Sequence, residues 1–165
     1  MKPILFSVVC IGLMTQFVFA QCDVTNQPEK NRVYHAAEKL YENPALENGV
    51  LVISAYMSRN NGQWYLTTLI GTNMHGLSDF KARYLFMSFE GEALNLEAEN
   101  GGFEQLDGVQ LQTSVFPLTQ EQVAIFRDRD VKYLFIGDRE LNSPVSKIEI
   151  YAALFREQVK CIEKY

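Results

Sequence analysis

The stretch GVLVISAYMSRNNGQWYLTTLIG, residues 49–71, decides the fold of this 165-residue chain. Two runs within it, 49–58 and 63–71, are rich in β-branched and aromatic residues, which favour strands. The Arg-Asn-Asn-Gly segment between them, 59–62, tolerates the positive φ of a tight turn, so the stretch predicts a β-hairpin. Apolar residues occupy both faces of both strands, which indicates strands that are covered on both sides or lie centrally in a layered fold.

Further strand patterns follow downstream. Residues 81–99 predict a second hairpin, and residues 131–137 predict one more strand. The acidic, glycine-rich segment 99–108 predicts a loop. Residues 109–116 alternate apolar and polar residues, which predicts a strand whose polar face meets solvent. The polar positions are Gln110, Gln112 and Ser114.

Two helices are predicted in the C-terminal part. Thr119 is placed as an N-cap with Gln122 at the third helical position, and Leu118 and Val123 are spaced as a hydrophobic staple. A short helix is therefore expected to run to about Phe126. A second helix is predicted at the C-terminus, because apolar residues recur there at spacings of four, three, four and three. These residues are Ile148, Ala152, Phe155, Val159 and Ile162.

The sequence of residues 33–41 does not distinguish a helix from extended structure. Their apolar residues fit a helical spacing, but the run is short and Pro44 follows closely, so helix and extended structure fit equally well. Taken together, the patterns predict an α+β domain. We expect a mainly antiparallel sheet of about six strands, with the short helix and the C-terminal helix packed on it.

Residues 1–20 have the pattern of a cleaved signal peptide. Lys2 supplies a positive n-region, an apolar run follows, and Ala20 precedes the expected cleavage site. The run includes two polar residues and is barely long enough to span a bilayer, which disfavours an uncleaved anchor. Gln21 stands where a lipoprotein signal needs a small residue before Cys22, so acylation of that cysteine is disfavoured too. The pattern predicts a secreted or periplasmic protein.

The mature chain is acidic and has the size of one domain. Cleavage leaves a polar lead at 21–32 and a single domain at 33–165, together about 145 residues. The full chain has 15 basic and 20 acidic residues, a net charge of −5, and the loss of Lys2 makes it −6 (14 minus 20). Because no Lys/Arg cluster interrupts this charge, nucleic acid and anionic membrane surfaces are disfavoured as partners. No membrane insertion is expected after cleavage.

The cysteine content predicts a disulfide. Cys10 is removed with the signal peptide, which leaves Cys22 and Cys161, and an even pair in an oxidising compartment favours a bridge. Closing so long a loop stabilises the fold by roughly 4–5 kcal/mol in the chain-entropy model. Two distant cysteines and two separated histidines do not provide a four-ligand zinc site. The sequence indicates no metal and no cofactor.

Several of these features occur together in a known pattern. A cysteine follows the signal peptide, Trp64-Tyr65-Leu66 lies in a paired strand, and a Gly-Glu-x-Leu-x-Leu element spans 91–96. A capped short helix, one more strand and a terminal helix ending Phe155…Cys161-Ile162 complete the order. The chain thereby resembles small secreted bacterial proteins of unknown function. The resemblance implies an α+β sheet domain with a terminal helix, a bridge between the two cysteines and extended structure at 33–41, and it implies no catalytic residue.

The chain contains no catalytic motif. His75 lies in a polar, glycine-flanked loop where a general base can stand, yet it has no partner near it in the sequence, and a solvated loop histidine is the simpler interpretation. Trp64 and Tyr65 are candidates for a binding face for sugar or peptide, although strand aromatics mostly pack in cores. The ligand-binding candidates are therefore His75, Trp64 and Tyr65.

Acidic residues form two groups in the sequence. Neither group has the spacing of a calcium-binding loop, and solvated turn residues are the simpler interpretation of both. The groups are Glu97, Glu99, Glu104 and Asp107, and Asp128, Asp130, Asp138 and Glu140.

Three hypotheses about function follow. The first is a non-catalytic exported domain that binds a protein or small ligand through one sheet face or through the loops at 71–79 and 97–108. The alternative is a hydrolase that uses dispersed acidic residues together with His75, which requires acid and base within hydrogen-bond reach. The third is a structural or inhibitor-like module with one dedicated target.

Overall fold

The computed structural model of the protein describes residues 22–46, 49–72, 82–106, 109–138 and 148–165. The expected signal peptide, His75, Asp107 and Glu140 lie outside the described residues. The described residues form eleven strands, two α-helices and one 3-10 turn at Pro28–Lys30. The elements are β1 Val24–Gln27, β2 Arg32–His35, β3 Glu38–Leu46, β4 Gly49–Asn60, β5 Gln63–Thr72, β6 Tyr84–Phe89, β7 Glu92–Glu97, β8 Asn100–Leu106, β9 Val109–Leu118, α1 Gln120–Asp128, β10 Tyr133–Gly137, β11 Ile148–Glu149 and α2 Leu154–Ile162.

The strands form two antiparallel sheets. The larger sheet has seven strands in the order β1-β2-β4-β5-β9-β8, with β3 also paired to β4, and the smaller sheet has the order β11-β10-β6-β7. The α+β class is confirmed, with eleven strands among the described residues where the sequence predicted about six. The additional strands are short or polar, so their sequences carry a weak periodic pattern.

The two hairpins are confirmed. β4 and β5 pair from Leu51 opposite Thr72 to Asn60 opposite Gln63, and the residues that join them have φ of 50° at Asn61 and 80° at Gly62. Two consecutive positive φ values give the tight turn whose twist matches that of the strands. β6 and β7 also form an antiparallel hairpin, and its turn has one residue with positive φ, Gly91 at 76°.

The N-terminal segment joins the sheet as strands. Residues 33–41 are extended, so the helical option was wrong for them and the extended one is confirmed. The polar lead supplies β1, the 3-10 turn and the start of β2, and β1 pairs with β2 along its whole length. One edge of β4 receives β2 and then β3, and the hydrogen bonds of that edge outweigh a weak helical spacing.

A side chain of α2 completes the β4 edge where β2 and β3 leave a gap. β2 pairs with residues 58–60 of β4 and β3 pairs with residues 49–55, so the positions between them have no strand partner on this side. The Met57 N–H instead donates to Oε1 of buried Gln158 at 2.8 Å. A buried N–H without an acceptor is costly, so this contact ties α2 to the sheet.

Replacement of Gln158 is expected to lower the free energy of unfolding. Gln158→Leu keeps a side chain of similar size but removes the acceptor of the Met57 N–H. The unpaired N–H is expected to cost about 1–3 kcal/mol of unfolding free energy. Urea denaturation of the variant measures the loss, with Gln120→Leu on the exposed start of α1 as the control. Equal urea midpoints for the Gln158 variant and the control would show that the N–H finds another acceptor.

Two predictions about β8 and β9 were wrong. The segment 99–108, predicted as a loop, contains the seven-residue strand β8. The face of β9 that carries Gln112 and Ser114 was expected to meet solvent, but it is buried. It is buried because Phe116 and Leu118 share the same alternation and extend this face into the core.

Both predicted helices are present, with one change. α1 has the predicted capping box, in which the Thr119 hydroxyl accepts from the Gln122 N–H at 3.2 Å and the Gln122 side chain accepts from the Thr119 N–H at 2.8 Å. α2 begins only at Leu154, so Ile148 and Ala152 were wrongly assigned to it, and Ile148 lies in β11. Ile148 of β11 and the apolar residues of α2 pack in the same core. Their spacing in the sequence therefore fits a single helical stripe, although they belong to two elements.

The predicted disulfide between Cys22 and Cys161 is present, with its sulfur atoms 2.04 Å apart. It joins the residues before β1 to the last turn of α2. Residues separated by 139 positions are thereby linked across the domain.

Candidate functional site

A groove lies at the corner where the chain passes from the smaller sheet to the larger one. β7 ends at Glu97, and β8 begins at Asn100 after two intervening residues. The Ala98 N–H donates to the Arg83 carbonyl at 2.8 Å, beside the smaller sheet, and the Glu99 N–H donates to the Val115 carbonyl at 3.0 Å in the larger sheet. A cavity of about 450 Å³ opens at this corner. We call it the corner groove, and its principal lining residues are Arg83, Glu97, Gly101, Phe103, Gln112 and Ser114.

The floor of the corner groove is polar and one wall is aromatic. Gln112 and Ser114 on β9 are only 7% and 2% exposed, although the groove reaches them. They lie directly opposite Phe103 and Gly101 of β8, and residues opposed in this way share a face of the sheet. Phe103 is 46% exposed beside them. An apolar wall with a few fixed polar groups is the usual composition of a ligand site.

Gly101 keeps the groove at its present shape. A Cβ at this position would come within 2.8 Å of the Thr113 carbonyl oxygen on the neighbouring strand. A backbone atom cannot move aside cheaply, so any larger residue here shifts β8 against β9. The absence of a side chain at Gly101 also leaves the space in front of Ser114 open.

The rim of the corner groove is predominantly acidic. Among the described residues that line it, Glu97 and Glu99 are acidic and only Arg83 is basic, while Glu104 is exposed on β8 outside the lining. Tyr84 donates its hydroxyl hydrogen to Oε1 of Glu97 at 3.1 Å, which holds that carboxylate in place. The first acidic group of the sequence analysis is thus partly brought together at this rim.

Polar side chains continue from the groove floor into the larger sheet. Thr68 of β5 lies directly opposite Ser114 and is 1% exposed. Its hydroxyl oxygen has no hydrogen-bond partner among the described residues. Buried hydroxyl groups are normally hydrogen-bonded, so the unpaired Thr68 hydroxyl lowers the stability of the fold at a position next to the groove.

The candidates named from the sequence lie elsewhere. Trp64 is buried at the far end of β5, opposite Leu118, and lines a different cavity. Tyr65 is half-buried, and as the next residue along the strand it points to the other face of the sheet. Trp64 and Tyr65 therefore do not share one surface, and His75 lies outside the described residues.

One member of the second acidic group, Asp130, takes part in a structural contact. Asp130 forms an ion pair with Arg156 of α2, and Asp128 is the last residue of α1. In the described ranges, no three His, Cys, Asp or Glu side chains are grouped so that they would hold a metal ion.

The groove residues were missed because the alternation of β9 was assigned from 109–116 alone. Extending the strand to Leu118 places Gln112 and Ser114 in the phase of Phe116 and Leu118, which is the phase of the core. That shared phase is the signal that identifies them as buried polar residues. Arg83 and Phe103 have no comparable signal, because their position depends on how the two sheets meet.

Neither helix of the described residues has the length and apolar character needed to cross a bilayer. Of the features implied by the resemblance to small secreted bacterial proteins, the α+β fold and the bridge between Cys22 and Cys161 are present. The chain matches no protein-family model, no curated protein and no solved structure.

Proposed function

We propose that this protein is an exported, non-catalytic domain that binds an extended segment of a partner protein at β8, with side chains of the partner seated in the corner groove. The observation that carries the proposal is an exposed edge strand next to a groove with a buried polar floor. Residues 100–105 of β8 are all exposed, and no strand among the described residues pairs with the outer edge of β8.

An edge strand offers the backbone groups that strand addition needs. Every second residue of such a strand directs its N–H and C=O away from the sheet, and an extended peptide can pair with them. Proteins usually protect exposed edges with lysine, proline or a covering segment. β8 contains neither lysine nor proline, and Gly101 and Gly102 present no side chain that would obstruct an incoming strand.

The chemistry around β8 favours a basic partner segment with an apolar residue. Phe103 provides an exposed aromatic surface that an apolar side chain of the partner would cover. The carboxylates of Glu97, Glu99 and Glu104 favour lysine or arginine in the same segment. The net charge of −5 over the whole chain would attract such a segment from a distance.

Export is the second part of the proposal, and three features support it. The N-terminal 20 residues have the pattern of a signal peptide, and the chain resembles small secreted bacterial proteins. The Cys22–Cys161 disulfide fits an oxidising compartment, such as the periplasm or the external medium. We infer a secreted or periplasmic location on these grounds.

Selection of peptides tests the binding function. The purified, disulfide-bonded protein is immobilised and challenged with a library of random linear peptides, and bound peptides are measured by fluorescence anisotropy. We expect enriched peptides that combine apolar residues with lysine or arginine. Phe103→Ala is expected to weaken their binding about tenfold or more, because a central aromatic contact is lost.

Matched variants separate the groove from the rest of the surface. Phe86→Ala removes an aromatic ring of similar exposure (37%) on β6 and should leave the affinity unchanged. Glu104→Lys should weaken binding of basic peptides, while Glu121→Lys on exposed α1 should have little effect. Selected peptides that bind the Phe103 and Glu104 variants as tightly as the unmodified protein would refute β8 as the binding site.

A further inference from the structure

A second cavity lies at the opposite end of β5, away from the corner groove. It has a volume of about 510 Å³ and is bounded by the β4–β5 turn, the start of α1 and Glu163 just beyond α2. We call it the arginine cavity. Its lining residues include Asn31, Arg59, Asn61, Trp64, Arg127 and Glu163.

Arg59 is held in this cavity by an aromatic contact. It lies directly opposite Trp64 in the β4–β5 pair, and its guanidinium carbon is 5.7 Å from the centre of the indole ring. Trp64 is 4% exposed, so the ring is fixed in the core and orients the guanidinium. A contact of this kind uses the face of the guanidinium and leaves N–H groups on its edge for another partner. Arg59 forms no ion pair with any described carboxylate.

The other arginine of the cavity is already paired. Arg127 of α1 donates to Glu163 through Nε, at 2.8 Å, and through Nη2. This hydrogen bond to the Glu163 carboxylate raises the pKa of Arg127. The Arg127–Glu163 pair has no net charge. The net charge of the described lining residues is therefore +1 and comes from Arg59, on a protein whose net charge is −5.

Two asparagines add neutral donors at the rim. Asn31 and Asn61 have φ of 46° and 50°, and the Asn61 N–H donates to the Asn31 carbonyl at 2.9 Å. Asparagine tolerates this left-handed conformation better than most residues, so the turns fix both positions at small cost. Both residues line the cavity, and the side-chain amide of an asparagine can donate two hydrogen bonds.

We propose that the arginine cavity binds a small oxyanion, a carboxylate or a phosphate group, on the free edge of Arg59. A guanidinium edge matches two oxygens of such a group with parallel, charge-assisted hydrogen bonds. The amides of Asn31 and Asn61 donate to the remaining oxygens. The first turn of α1, which begins at Gln120 on the same cavity, contributes the partial positive charge of a helix N-terminus. This site is independent of the binding proposed at β8.

Titration with simple anions tests the site. Sodium phosphate and sodium acetate are added separately to the ¹⁵N-labelled, disulfide-bonded protein at constant ionic strength, with sodium chloride as the background salt. The Arg59 Nε–H and Trp64 indole N–H resonances are followed by NMR. We expect saturable shifts of both resonances. Saturation with phosphate alone indicates a phosphate ligand, and saturation with acetate alone indicates a carboxylate ligand.

Variants assign the shifts to Arg59. Arg59→Gln keeps a long polar side chain but removes the charge. We expect this substitution to lower the affinity for the anion at least tenfold, measured from the shift of the Trp64 indole N–H resonance. Arg32→Ala is the matched control, because Arg32 also stacks on an aromatic ring, 5.1 Å from the centre of Tyr34, but does not line the cavity. Retained dispersion of the amide resonances shows that the Arg59 variant is folded. If the Arg59 variant does not fold, Asn61→Ala is used in its place, with a smaller expected loss of anion affinity. Shifts equal to those in chloride alone, or an affinity unchanged by the Arg59 and Asn61 substitutions, would overturn the proposal.

Discussion

Cys22→Ser is expected to lower the melting temperature of the oxidised protein by about 10 °C and to leave that of the reduced protein unchanged. The bridge to Cys161 closes a loop with a sequence separation of 139 residues. In the chain-entropy model, a loop of this length restricts the unfolded chain by roughly 4–5 kcal/mol. Reduction removes the same restriction from the unmodified protein, so the two proteins should then melt together. Differential scanning calorimetry with and without reductant measures the effect.

Cys22 is the better cysteine to replace. It is half-buried before the first strand, whereas Cys161 is 5% exposed among core residues of α2, where a substitution also changes packing. A serine at position 22 therefore tests the covalent link with little other change. Equal melting temperatures of the variant and the unmodified protein without reductant would show that the bridge does not stabilise the fold.

Phe126→Ala is expected to cost about 3–5 kcal/mol of unfolding free energy. The Phe126 ring on α1 is fully buried and stands between two other rings, Phe89 of β6 at 5.6 Å and Phe155 of α2 at 5.8 Å between centroids. Both contacts are edge-to-face, the geometry that aromatic pairs prefer. The three rings connect the smaller sheet to both helices, so removal of the Phe126 ring opens a cavity where these elements meet.

Urea denaturation measures this loss against Phe86→Ala. Phe86 is on the same strand as Phe89 but is partly exposed, so its replacement should cost much less than that of Phe126. A cost of under about 1 kcal/mol for Phe126→Ala would mean that the neighbouring side chains collapse into the vacated space. The contacts of Phe126 would then contribute little to joining the smaller sheet to the two helices.

The parts of the fold that were predicted correctly are those with strong local determinants. The β4–β5 hairpin has β-branched strands and an Asn-Gly turn, so its partner is next to it in the chain. The start of α1 is determined within four residues by the Thr119 and Gln122 capping box. The pairing of Cys22 with Cys161 was predicted from the number of cysteines outside the expected signal peptide, a count that does not depend on the fold.

The parts that were predicted incorrectly or left open are those in which a distant neighbour decides the structure. β8 is rich in glycine and polar residues, and it becomes a strand because the edge of β9 is there to pair with it. The N-terminal strands form for the same reason on the edge of β4. Ile148 fits the stripe of α2 only because a strand and a helix face the same core.

The sequence by itself determined the α+β class, the two hairpins, both helices and the disulfide, because each depends on nearby residues or on a simple count. Only the tertiary structure decided that Gln112 and Ser114 form the buried floor of a groove and that Arg59 and Arg127 line one cavity. The alternation of β9 indicates that Gln112 and Ser114 are buried, but the residues around them, Arg83 and Phe103, come from other elements, and Arg59 and Arg127 are far apart in the chain. The physical reason is that a surface site is made where separate elements meet, and the free energy that places those elements comes from the core beneath them.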